Sequence, residues 1–127
     1  MRLILTALIF AQGLMFLVLG LNFLIMPASA ATGFNLAPDG PGGLAVLRAD
    51  FPALFFVGGG AMIWGAWKRN GDLLLVPAAI FGIALFGRLV SVFADGTAPG
   101  FWFPMMVEAA AVVLTLIASR VLPHRVG

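Results

Sequence analysis

The sequence predicts an all-α fold: an integral membrane, antiparallel four-helix bundle with both termini cytoplasmic. Three observations predict it. Of the 127 residues 62% are hydrophobic and 9% charged, against about 25% charged in an average soluble domain, and the mean hydropathy is +1.12. Apolar runs recur four times between clusters of glycine, proline and polar residues, each close to the roughly 20 residues that cross a hydrocarbon core of about 30 Å. Arg2, Lys68, Arg69, Arg120 and Arg125 flank one side of these runs, whereas the loops of the other side hold Asp39 and Asp95 and no basic residue. By the positive-inside rule the basic side is cytoplasmic. The length fits one membrane domain, 1–127.

Helix 1 is expected over about 3–26, an apolar run interrupted by Thr6, Gln12, Asn22 and glycines and ended by Pro27. A competing reading takes Arg2 as the basic start and Ala28-Ser29-Ala30 as the cleavage site of a signal peptide. The run is longer than the usual apolar core of about 7 to 15 residues, which favours a retained span. From Pro27 to Gly43 the prolines, glycines, Asn35 and Asp39 read as a connector, with Phe34 and Leu36 able to rest on the membrane surface.

Helix 2 is expected over about 44–67. Begun at Pro52 it would span only roughly 24 Å at 1.5 Å per residue, so it should include Arg48 and Asp50 and bend at Pro52. The proline also frees the carbonyl of Arg48 as an acceptor. Trp64 and Trp67 then stand at the head-group level before the turn Lys68-Arg69-Asn70-Gly71-Asp72. Helix 3 is expected over about 73–94 with Asp72 as N-cap, the loop 95–100 follows, and helix 4 over about 101–122 carries Pro104 in its first turn and ends at Pro123-His124-Arg125. Gly58, Gly59, Gly60, Gly65 and the pair Gly87 and Ser91 read as close-packing faces, and Met105 and Met106 as adaptable core.

The composition excludes several classes of function. With no cysteine and one histidine there is no disulfide framework, no thiolate and no metal site of the usual kind, and no cofactor-binding motif is present. The pI near 10.6 reflects scattered basic residues rather than a basic face, so no nucleic-acid partner is expected.

What remains is a layer of charge inside an apolar chain. In the expected topology Arg48, Asp50, Arg88, Glu108 and Asn22 share a band roughly 6 to 10 Å below the outer surface. A charge at the bilayer centre costs about 2.5 to 3.5 kcal/mol on insertion scales, and arginine does not escape it by deprotonating. Each arginine therefore calls for a carboxylate, and Arg88 with Glu108 on the next helix is the most economical choice, with a two-point fork to the carboxylate. Arg48 and Asp50, two residues apart, point to different sides and should each look to another helix. Arg88, Ser91 and Asp95 recur at i, i+3 and i+7, a polar stripe that could line a water-filled funnel.

At Arg48-Ala49-Asp50-Phe51, Gly87-Arg88-Leu89-Val90-Ser91, Asp95-Gly96 and Glu108, in order over nearly the whole chain, the sequence resembles the bacterial family called domain of unknown function 4345. The resemblance implies a short four-helix protein of the bacterial inner membrane and no activity. Pro52 stands where many members have glycine.

Two functional readings follow. One is a module that binds or moves a small amphipathic or anionic molecule, or a lipid head group, at Arg48, Asp50, Arg88, Ser91, Asp95, Glu108 and Asn22. The other is a structural or accessory subunit of a larger membrane complex, in which the charges serve helix packing only; membrane lipids and a homo-oligomer are also among the partners that the sequence allows. An enzyme using Glu108 or Asp50 as acid or base is the least supported, because no nucleophile accompanies them.

Overall fold

A computed structural model describes residues 2–96 and 102–122. The elements are α1 (Arg2–Ile25), α2 (Pro27–Thr32), α3 (Gly40–Trp67), α4 (Leu75–Ala94) and α5 (Trp102–Val121). Four of them, all but α2, are long and apolar enough to cross a membrane. The expected positions at Phe101, in 97–100 and at Pro123, His124 and Arg125 lie outside the described residues.

On α1 the buried positions are Leu5, Ile9, Gly13, Phe16, Gly20 and Phe23, three or four residues apart, which places them on one stripe of a helix. That stripe meets α3 at its closest where Gly13 faces Gly59: a Cβ on either would stand 2.8 Å from the other's carbonyl oxygen. Small residues here let two backbones approach where lipid supplies no hydrophobic drive between helices. Phe16 from α1 stacks on Phe81 from α4 at 4.3 Å and on Phe55 from α3 at 5.8 Å between centroids. Phe23 meets Phe51 at 4.7 Å. α5 packs chiefly on α4 and also on α1, so each long helix has two neighbours around this aromatic centre. Outward, Ile4, Val18, Ile83, Phe86, Phe93 and Met106 are exposed, a surface suited to acyl chains. Met105 is buried as expected, but Met106 faces outward and is not core.

Three boundaries differ from the sequence expectation. The connector after α1 is partly helical, because Pro27 occupies the first helical position, where its missing N–H leaves no bond unmade. After α2 the chain reverses through Asn35 at φ 59, with the N–H of Leu36 donating to the carbonyl of Ala31 at 3.0 Å, and Phe34 turns inward onto Phe23 at 5.3 Å. α3 starts at Gly40 rather than Leu44, since Pro41 again falls in a first turn. Its 28 residues extend over roughly 42 Å at 1.5 Å each. Finally, α4 starts at Leu75, and Asp72 is not its N-cap. A helix begun at 73 would place Pro77 at its fifth position, where the lost N–H breaks a bond; at the third position it does not. The preceding residues form tight turns instead, with Leu74 N–H to Gly71 O at 3.2 Å and Leu75 N–H to Asp72 O at 3.1 Å.

The glycine expectation holds in part. Gly58 lies under Phe81, and Gly65 under Leu74. A Cβ added at Gly60 or at Gly87 would meet nothing within 4 Å, so neither is a packing contact.

Candidate functional site

Arg88 stands six residues before the end of α4 at Ala94, and Glu108 six residues after the start of α5 at Trp102. The two therefore lie at the same height, roughly 9 Å from those helix ends. They form a salt bridge, with Arg88 Nε donating to Glu108 Oε1 at 2.8 Å. The contact is single and not the expected two-point fork. Both Nη groups of Arg88 make no hydrogen bond among the described residues, and its side chain keeps 27% of its surface accessible against 12% for Glu108.

The accessible side of this pair opens into a cavity of about 650 Å³. Phe16, Phe55 and Phe81 stand at its deep end, Phe51 and Leu54 on the α3 side, and Phe103, Pro104 and Val107 on the α5 side. α2 and the turn after it, with Ser29, Thr32, Gly33 and Phe34, close the opposite end. The same inward turn of Phe34 that the connector reading missed thus builds one wall of the site. Asn22 of α1 also lines the cavity, and its carboxamide makes no hydrogen bond among the described residues. The walls are otherwise apolar, so Arg88, Glu108, Asn22, Ser29 and Thr32 supply the polarity of the interior.

The remaining sequence candidates are not gathered here. Arg48 and Asp50 are exposed on α3 and make no ion pair among the described residues. Helix length explains this. Counting back from Trp67, about 20 residues fill the hydrocarbon core and end at Arg48, which puts Arg48 and Asp50 in its last turn, next to the border. Charges there are solvated and need no partner on another helix. Ser91 and Asp95 pair with each other, Ser91 Oγ donating to Asp95 Oδ2 at 2.9 Å near the exposed end of α4. Neither lines the cavity, so the polar stripe is not its wall, and the interior is apolar rather than an aqueous funnel.

One polar residue escaped the sequence reading. Gln12 of α1 donates its Nε2 to the backbone carbonyl of Val107 on α5 at 3.1 Å, one residue from Glu108, and its buried Oε1 has no partner. Its spacing offered the signal: three residues after Ile9 and four before Phe16, it shares the buried stripe.

Among the described residues no three His, Cys, Asp or Glu side chains converge on a metal position. No family model, no curated protein and no solved structure matches the chain.

Proposed function

We propose that this chain is a multi-pass membrane protein of the bacterial inner membrane that binds, or moves, a small amphipathic molecule with an acidic head, taken from the outer half of the bilayer. The observation that carries the reading is the cavity: about 650 Å³, walled by phenylalanines, with the Arg88 and Glu108 pair, Asn22, Ser29 and Thr32 as its polar groups. Ligand sites are concave, fall between about 300 and 1,000 Å³, and combine apolar walls with few polar groups that fix orientation. Both Nη groups of Arg88 and the Asn22 carboxamide make no hydrogen bond among the described residues and remain accessible, so they are free to meet a polar head.

The arrangement of the helices belongs to the same reading. Contacts of Phe10 with Trp67, Phe16 with Phe55 and Phe23 with Phe51 run in opposite senses along α1 and α3, which supports an antiparallel bundle. Arg2, Lys68, Arg69 and Arg120 then share one end, and cytoplasmic termini follow from them. The cavity, at the opposite end, faces the outer leaflet.

A thermal-shift screen of the detergent-purified protein against single-chain acids, alcohols and lysolipids tests the reading. An acidic amphiphile is expected to raise the melting temperature, and Ala84→Phe, which fills the cavity from α4, should abolish that shift. If no amphiphile stabilises the protein, and native purification instead returns a partner in constant stoichiometry, the chain is an accessory subunit and the ion pair serves packing.

A further inference from the structure

We infer that the cavity takes its acidic amphiphile together with one proton, the proton going to Glu108 and the anionic head to Arg88. The inference rests on the binding reading above and adds the proton that enters with the head group. It starts from charge balance. Arg88 stays protonated, and Glu108 at 2.8 Å already balances it, so the site is neutral before any ligand enters. From α1 the pair is faced by the uncharged Asn22, from α2 by Ser29 and Thr32, and from α3 by Phe51, Leu54 and Phe55. Among the described residues no further titratable group lines the cavity to offset an added anion.

An anion brought in alone would therefore leave one uncompensated charge among phenylalanines, the situation that makes lone buried charges so unfavourable. The way out is a proton on Glu108: the anion and one proton from water bind together, an O–H bond forms on the Glu108 carboxylate, and the total charge of the site is unchanged, whether the head is a carboxylate, a sulfonate or a phosphodiester. The anionic head then receives the two Nη groups of Arg88 that the protein leaves unbonded, in the planar fork that arginine offers an oxyanion. The apolar tail lies along the phenylalanine walls.

The test titrates decanoate, decanesulfonate and methyl decanoate into the detergent-purified full chain between pH 6 and pH 9, and counts protons with an indicator in weak buffer. Decanoate is expected to take up one proton per molecule bound, and its apparent affinity should fall about tenfold for each pH unit, the slope that linkage to one proton requires. Decanesulfonate should take up one proton with the same slope, because the proton goes to Glu108 and not to the ligand, and methyl decanoate should take up none. In Glu108→Gln the arginine has no counter-charge, so decanoate should bind without proton uptake and decanesulfonate should bind as well as decanoate. Decanoate or decanesulfonate bound by the native protein without proton uptake overturns the inference and leaves the amphiphile reading standing. If none of the three probes binds, the amphiphile reading itself falls. Should Glu108→Gln fail to fold, the proton count on the native protein decides alone.

Discussion

Arg88 meets Glu108 through one nitrogen and one oxygen at 2.8 Å, on two helices that hold them at equal height. Removing either partner leaves the other charge uncompensated in an apolar setting, which for a buried pair costs about 3 kcal/mol or more, whereas removing both is far milder. Arg88→Leu and Glu108→Leu are each expected to lower the melting temperature and expression, and the double variant to recover most of the loss. A double variant equal to the sum of the singles would show that the pair is not coupled. This pair was legible in the sequence because depth alone fixes it: two charges a similar number of residues from one short connection must meet if the helices are neighbours. That Arg48 and Asp50 make no ion pair among the described residues was not legible, because their depth depends on how far α3 extends. Asn22 was expected in the band of the pair, and in the structure it lines the same cavity. Gln12, whose Oε1 is buried without a partner, read only as a break in an apolar run. Gln12→Leu should lower stability only modestly, by about 1 kcal/mol or less, because the bond lost to the Val107 carbonyl is offset by release of the unpaired oxygen. A loss as large as that of Glu108→Leu in the same melting experiment would mean that the amide holds α1 against α5.

At the scale of the element, the position of a helix start decided more than its composition. Asp39-Gly40-Pro41 and Met26-Pro27 read as loop because proline and glycine are loop residues on average, yet proline within a first turn belongs to a helix. Both misreadings fall at this one point. Their consequence is functional, since α2 and the turn after it form a wall of the cavity. Glycines show the same dependence on place. A methyl on Gly59 would meet the carbonyl of Gly13 at 2.8 Å and Phe16 Cβ at 3.0 Å, so α1 and α3 must separate to admit it. Gly59→Ala is expected to cost about 1 to 3 kcal/mol, the usual range for overpacking. Gly60→Ala and Gly87→Ala meet nothing within 4 Å and should be neutral or stabilising by up to about 1 kcal/mol, from helix propensity alone. Melting of the three variants in one detergent measures the contrast. An equal loss in all three would show that the α1 and α3 contact is looser than the 2.8 Å approach implies.

For the whole molecule, the four long helices and their apolar outer surface were legible from composition and run length, because a segment that must satisfy every backbone group without water has little choice but helix. Orientation rests on a different physical quantity, the placement of basic residues. Lys68 and Arg69 are exposed at the end of α3, beside Trp64 and Trp67, and Lys68 Nζ lies 5.6 Å from the Trp64 ring. Aromatic and basic residues together suit the head-group zone of the cytoplasmic face. Ala37, exposed in the stretch between α2 and α3, belongs to the other end, next to the cavity wall. A membrane-impermeant maleimide applied to cells with a permeabilised outer envelope and an intact inner membrane should therefore label Ala37→Cys at once and Lys68→Cys only after the inner membrane is opened. Both positions tolerate the probe, since neither side chain is buried. Labelling of both from the same side would contradict α3 as a span. Labelling in the reverse order would invert the molecule, placing the cavity in the cytoplasmic leaflet, and any ligand would then come from inside the cell.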